Sequence, residues 1–172
     1  MTAVILAVDP GVHRLGLATC RLDTGEPVWC GSEAISRPNG GWRHQQIGHA
    51  LAGATICWTR DHLGYHAADL EPALVAVEDP THAARGKTAA ARWGAVLALV
   101  EAEARRRWPH APVWTISPPG WKKAIGIPGN ADTAAYTAHA EQHGWTPTDG
   151  DAAAAACIAM WAHATNLRGV AA

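Results

Sequence analysis

The stretch VILAVDPGVHRLGLATC, residues 4–20, decides the fold of this chain. Its first five residues form an apolar run rich in β-branched side chains, which is typical of a strand covered on both faces. The run ends at the carboxylate of Asp9, and a Pro-Gly turn follows at once. A buried ionised carboxylate is costly unless it is paired, hydrogen-bonded or bound to a metal ion. We therefore expect the rest of the sequence to supply partners for Asp9.

The composition predicts one globular domain over residues 1–172, because a hydrophobic content of 48% is ample for a sizeable core. No apolar run approaches the roughly eighteen residues of a membrane span. The N-terminus lacks the basic-then-apolar pattern of a signal peptide, so we expect a cytoplasmic protein without a membrane partner. The four cysteines are scattered, which favours buried reduced thiols over a zinc site.

The formal net charge of −1 argues against a protein that coats nucleic acid by bulk electrostatics. Much of the positive charge nevertheless falls in short clusters, which leaves a local basic face open. The clusters are Arg85 with Lys87, residues 105–107, and Lys122 with Lys123. Taken singly, each cluster is more simply explained as a solvated helix end or loop. For residues 105–107 the helix dipole is a sufficient explanation.

Hydrophobic periodicity and turn residues predict an α/β fold with a mixed five-stranded sheet and helices on both faces. The predicted strands cover residues 4–8, 15–22, 28–35, 74–77 and 112–116, and the predicted helices cover residues 42–58, 88–107, 132–143 and 151–165. The turn residues 23–27 make the first three strands an antiparallel meander. The first and fourth strands can then lie side by side.

A second strand ends as the first does, with Glu78 followed by Asp79-Pro80. Parallel neighbours that end together would hold Asp9 and Glu78 a few ångströms apart at the edge where open α/β sheets bind ligands. Two like charges at that distance repel unless a cation lies between them, and Mg²⁺ prefers such oxygen ligands. Asp149 and Asp151, at the start of the last helix, are further candidates, with helix capping as the alternative for both.

Five blocks, taken in order, resemble the RuvC-type Holliday junction resolvases of the RNase H-like superfamily, especially compact phage-encoded members. The blocks are ILAVDPGVHRLGLA (residues 5–18), LVAVEDP (74–80), TAAARWGAVLALVEA (88–102), WKKAIGIPGNADTAA (121–135) and DAAAAACIAMWAHA (151–164). The resemblance implies an RNase H-like fold and a crossover junction endodeoxyribonuclease of DNA recombination and repair. It also implies two-metal phosphodiester hydrolysis, with Mg²⁺ as the cofactor and Mn²⁺ as a substitute.

In that family four carboxylates hold the two ions, and the resemblance carries three of them onto Asp9, Glu78 and Asp151 as catalytic and metal-binding residues. The register of residues 158–160 puts Ala154 where the fourth acid is expected. Three interpretations follow: an inactivated variant, which we favour; compensation by Asp149; or a protein that binds junctions without cutting them.

The same resemblance suggests how DNA is held. Arg85 and Lys87 follow the glutamate strand. The family often has a lysine near the start of the penultimate helix, where this chain has Thr133. Lys122 and Lys123 are the lysines nearest to that position in the sequence. We expect all four basic residues to contact phosphates. Because a four-way junction has approximate two-fold symmetry, we also expect a homodimer.

Two other functions remain open at this point. Loss of the fourth acid favours a non-catalytic module that binds branched DNA. The Asp-Pro-Gly turn also occurs in actin-like phosphotransferases, although those need two such domains and this chain has room for one. The ten histidines raise transition-metal binding, but they form no close cluster in sequence, so solvent-facing or core positions are favoured.

Overall fold

The fold is known from a computed structural model that describes residues 3–35, 45–54, 72–83 and 86–170. The strands in these ranges are β1 (Val4–Pro10), β2 (Arg14–Arg21), β3 (Pro27–Ala34), β4 (Leu74–Glu78) and β5 (Val113–Ile116). The helices are α1 (residues 45–54), α2 (Lys87–Arg107), α3 (Pro118–Ala124), α4 (Thr133–Gln142) and α5 (Gly150–Val170), with a 3-10 helix at Pro80–Ala83.

The strands form one mixed sheet in the order β3-β2-β1-β4-β5. The first three strands pair antiparallel, as the hairpin residues predicted. β4 pairs parallel with both β1 and β5. The predicted five-stranded mixed sheet, with the first and fourth strands adjacent, is therefore confirmed.

Helices cover both faces of this sheet, as predicted, because its side chains alternate between two hydrophobic cores. One core combines Ile5 and Ala7 of β1 with buried residues of α3, α4 and α5. The other combines Leu6 and Val8 with buried residues of α1 and α2. The predicted ends of the first helix, at residues 42 and 58, lie outside the described residues.

The alanine-rich helix α5 lies directly on the sheet. Residues 152–156 are all buried, and their small side chains let the helix backbone approach β1 and β2 closely. α5 and α2 each have 21 residues, yet no helix in the described ranges is long and apolar enough to cross a membrane.

The short helix α3 is missing from the sequence prediction. The predicted strand over residues 112–116 is followed by Ser117-Pro118-Pro119-Gly120, which is typical of a break in regular structure. In the structure Ser117 precedes the helix and Pro118 occupies its first position, where proline is tolerated because its missing N–H has no partner to lose. This helix carries Lys122 and Lys123.

The cysteine prediction agrees with the structure where it can be compared. Cys20, Cys30 and Cys157 are free and buried, and Cys57 lies outside the described residues. Burial raises the pKa of the Cys20 and Cys157 thiols to about 12. These two side chains are therefore protonated near neutral pH.

Candidate functional site

Asp9 and Glu78 lie side by side at the carboxyl ends of the parallel strands β1 and β4. The register pairs Val8 with Val77, and each acid follows its valine by one residue. Neighbouring strands are about 4.8 Å apart. Because side chains alternate along a strand, Asp9 shares the face of Ala7, which is the face that α5 covers. The strand pairing thus brings both acids together under α5.

Gly16 allows the first turn of α5 to reach this edge. It pairs with Asp9 on the neighbouring strand β2. A Cβ atom at Gly16 would lie 2.0 Å from the carbonyl oxygen of Asp151 and 3.2 Å from the Cβ of Asp9. Only a residue without a side chain fits between them. The glycine therefore sets Asp151 beside the two strand acids.

The three acids influence one another electrostatically. Burial, and then the charges of Glu78 and Asp151, raise the pKa of Asp9 well above its usual value. Burial also raises the pKa of Asp151, as does Asp149, while Arg14 opposes the shift. The negative charges are thus close enough to repel, which is the arrangement that a cation would relieve.

Trp121, on α3, orients Glu78. Its indole Nε1 donates a hydrogen bond of 2.5 Å to Glu78 Oε2. Both residues are buried, with exposed fractions of 1% for the tryptophan and 9% for the glutamate. Burial raises the pKa of Glu78, whereas the Trp121 hydrogen bond and Lys122 lower it. Trp121 is absent from the predicted site residues, although this tryptophan precedes the two lysines in the block that resembles the family.

Lys122 lies against aromatic rings near the acids. Its Nζ is 5.6 Å from the centre of the Trp121 ring and 5.4 Å from that of Tyr136, and it donates to the Ala131 carbonyl oxygen at 3.2 Å. Lys123 is exposed on the same helix. The structure therefore brings Lys122 to the acidic edge and leaves Lys123 on the adjoining surface.

No contact within the described residues brings Lys87 to the acids. Lys87 is exposed at the first position of α2. Arg85 lies outside the described residues, so its predicted phosphate contact stays a prediction.

Tyr136, on α4, is a second residue that the sequence analysis missed. Its hydroxyl is 3.0 Å from Thr133 Oγ1. Burial raises the pKa of Tyr136, and the charges of Asp9, Glu78 and Asp151 raise it further. The phenol therefore lies within electrostatic reach of all three acids and offers a neutral hydrogen-bond donor at the site.

Asp149 caps α5, which was the alternative to its metal role. Its Oδ1 accepts a hydrogen bond of 2.9 Å from the Ala152 backbone N–H. Its Oδ2 accepts one from the Ser32 hydroxyl and lies 3.3 Å from an Arg14 nitrogen. Burial raises the pKa of Asp149, but Ser32, the Ala152 amide and Arg14 lower it more. Both carboxylate oxygens are thus already engaged.

Arg14 also forms an ion pair with Asp151. Its Nε is 3.8 Å from Asp151 Oδ2, with side-chain exposures of 48% and 44%.

Ala154, three residues after Asp151 and 6% exposed, contributes no oxygen on that helix face. In the part of the chain that the structure describes, no three side chains of His, Cys, Asp or Glu are arranged to hold a metal ion together.

Solved structures share this architecture over nearly the whole chain. Thermus thermophilus RuvC matches with a TM-score of 0.63 and 19% identity, covering 95% of this chain and 96% of that one. T. thermophilus RuvC in complex with a Holliday junction substrate matches with a TM-score of 0.69 and 20% identity, covering 96% of both. The yeast mitochondrial Holliday junction resolvase Ydc2 matches with a TM-score of 0.53 and 13% identity, covering 97% of this chain and 81% of that one.

No family model and no curated protein sequence matches the chain. The likeness is therefore one of structure. This chain has the fold of the RuvC-type Holliday junction resolvases.

Proposed function

We propose that this protein is a structure-specific endonuclease of branched DNA, with the Holliday junction as its main substrate. The observation that carries the proposal is the meeting of Asp9, Glu78 and Asp151 at one edge of the sheet, made possible by Gly16. A structure with the same fold was solved with a Holliday junction substrate, which supports this choice of DNA.

The donor set fits Mg²⁺, with Mn²⁺ as a substitute, because it consists of carboxylate oxygens alone. Asp9 and Glu78 would hold the ion, and Asp151 would join them after leaving Arg14. When bound, such ions lower the pKa of a water molecule and stabilise the leaving oxygen of a phosphodiester. A cation would also remove the repulsion that raises the pKa of Asp9.

The chain's own residues would position the acids and the DNA. Trp121 fixes one oxygen of Glu78 and leaves Oε1 free of that bond. We assign the phosphate contacts to Arg85, Lys87, Lys122 and Lys123, since the DNA backbone is recognised chiefly by such cations. Lys122 is close enough to the acids to lower the pKa of Glu78.

We further propose that catalysis is impaired in this sequence because Ala154 supplies no carboxylate. Asp149 is the other acid near the start of α5, and its oxygens already bind the Ala152 amide, Ser32 and Arg14. Compensation by Asp149 is therefore disfavoured. Three carboxylates would then balance two divalent ions, so one ion should bind weakly.

The assembly that we propose is a cytoplasmic homodimer. Paired, symmetric nicks in a junction are most simply made by two copies related by a two-fold axis. Size-exclusion chromatography with light scattering, with and without a four-way junction, measures the number of copies directly. A single copy on a cleaved junction would contradict the dimer.

A non-catalytic module that binds branched DNA is the second candidate. It is favoured by Ala154 and by the lack of a preassembled three-residue metal site among the described side chains. The two candidates differ in whether restoring the acid restores cleavage.

Synthetic four-way junctions test the proposal. We expect the protein as it stands to bind the junction in Ca²⁺ and to cut it poorly in Mg²⁺. Ala154→Asp should increase Mg²⁺-dependent nicking by orders of magnitude with little change in junction affinity. Adding Asp9→Asn to that variant should abolish nicking, and a linear duplex of the same sequence serves as the matched substrate.

The possible outcomes separate the two candidates. No cleavage by either form, with tight junction binding, would leave the binding module as the function. Equal cleavage by both forms would show that another acid supplies the fourth ligand. No preference for the junction over the linear duplex would overturn both candidates.

A further inference from the structure

A cavity of about 330 Å³ lies at the end of the molecule opposite the acidic edge. Gly25, in the turn between β2 and β3, lines one side of it, whereas Asp9 lies at the far end of β1. Three imidazoles from α5 and the end of α4 line the same cavity: His139, His143 and His163. None of the proposed nuclease residues that the structure describes lines it, so it is a separate feature.

His139 and His143 form a close pair. They are four residues apart at the end of α4, and their ring centres are 4.4 Å apart. His143 Nδ1 lies 2.8 Å from the His139 carbonyl oxygen. Because a carbonyl oxygen only accepts, Nδ1 must carry the proton and donate, which leaves the lone pair of His143 on Nε2.

His163, on the facing helix α5, has the same tautomer for the same reason. Its Nδ1 lies 3.1 Å from the Leu22 carbonyl oxygen, so Nε2 again carries the lone pair. An imidazole whose N–H is held by a backbone carbonyl is the usual arrangement of a histidine that binds metal through its other nitrogen. Two histidines of this cavity therefore carry that preorganisation.

His139 is also suited to act as a ligand. Its ring lines the same cavity as that of His143, and the two ring centres are 4.4 Å apart. The other lining residues include Trp145 and Met160, and no carboxylate is among the described residues that line the cavity. The ligand atoms are thus imidazole nitrogens, whereas Mg²⁺ prefers oxygen ligands.

We propose that this cavity binds one late first-row transition-metal ion, with His139 and His143 as the protein ligands and water completing the coordination. His139 and His143 are assigned as the ligands because their ring centres lie 4.4 Å apart. Imidazole suits Zn²⁺, Cu²⁺ and Ni²⁺, and Cu²⁺ binds most tightly of the three. The site is independent of the proposed nuclease centre.

Equilibrium dialysis of untagged protein against Ni²⁺, in excess Mg²⁺, tests the proposal. We expect one tightly bound Ni²⁺ per chain, and tighter binding when Cu²⁺ replaces it. His143→Ala and His139→Ala should each weaken Ni²⁺ binding at least tenfold. Two variants should keep it: His110→Ala, which removes an exposed imidazole beyond α2, and Asp9→Asn, which changes the acidic edge.

The result is decisive in either direction. His143 is exposed just beyond the last helical residue of α4, so its alanine variant should fold, as circular dichroism would confirm. Loss of the bound ion in that folded variant supports the site even if His139→Ala unfolds. Absence of a bound Ni²⁺ in the unmodified protein, or equal binding by His143→Ala, would overturn it.

Discussion

Replacing Gly16 with alanine should push α5 away from the acidic edge. The added Cβ would lie 2.0 Å from the Asp151 carbonyl oxygen, about 1.4 Å short of the 3.4 Å at which ordinary contact begins. The obstructing atom belongs to the backbone, so no side-chain rotation relieves the clash. Gly16 does not have a positive φ, and the cost is therefore one of packing rather than of backbone conformation.

The size of the effect follows from this displacement. Overpacking costs about 1–3 kcal/mol. The reduced freedom of the unfolded chain returns about 0.4–1 kcal/mol, so we expect a net loss of roughly 1–2 kcal/mol in the free energy of unfolding. A misplacement of about 1 Å can lower a catalytic rate by about 100-fold. Nicking should fall by about that factor, because Asp151 moves with the helix.

Urea unfolding measures the stability, and junction nicking in the Ala154→Asp background measures the rate. Gly53→Ala is the matched control, since it places the same methyl group on α1 with no atom of the described residues within 4 Å. The control should be neutral or stabilising by up to about 1 kcal/mol, because alanine favours a helix over glycine. Wild-type stability and nicking rate in Gly16→Ala would refute the assignment of Gly16 as the contact that positions Asp151.

Three further predictions concern the acids and the DNA. Trp121→Phe should destabilise the protein by about 1–3 kcal/mol in urea unfolding, because a buried oxygen of Glu78 loses its hydrogen-bond donor. The same substitution should raise the pH needed for Mg²⁺-dependent nicking, and an unchanged pH–rate profile would contradict this role of Trp121. The raised pKa of Asp9 means that the folded state holds this proton more tightly than the unfolded state does, so the stability of the metal-free protein should fall as pH rises from the unfolded pKa of about 4 through the folded pKa. Asp9→Asn should make this fall less steep in thermal unfolding with a chelator present. The same slope in both proteins would show that Asp9 is not its source. Arg85→Ala with Lys87→Ala should weaken junction binding at all sequences and reduce the salt slope by about two phosphate contacts; an unchanged slope would place the DNA surface elsewhere.

The sequence by itself predicted the five strands, four of the five described α-helices and the two strand-end acids. An apolar run, a turn or a helical stripe is a property of consecutive residues, so it is visible without the fold. Asp9 and Glu78 were recognised because each carboxylate directly ends such a run, and the pairing of their strands followed from the order of the elements. The capping alternative for Asp149 was likewise local, since the cap and Ala152 are neighbours on one helix.

Only the tertiary structure decided which distant side chains complete the site. Trp121 and Glu78 are 43 residues apart, and Arg14 and Asp149 are 135 apart. No periodicity links such pairs, because their contact depends on how whole helices pack on the sheet. α3 was missed because its prolines indicate a break in sequence, whereas proline at the first helical position is compatible with a helix. The need for glycine at Gly16 likewise arises from the approach of α5, a helix that begins more than a hundred residues later.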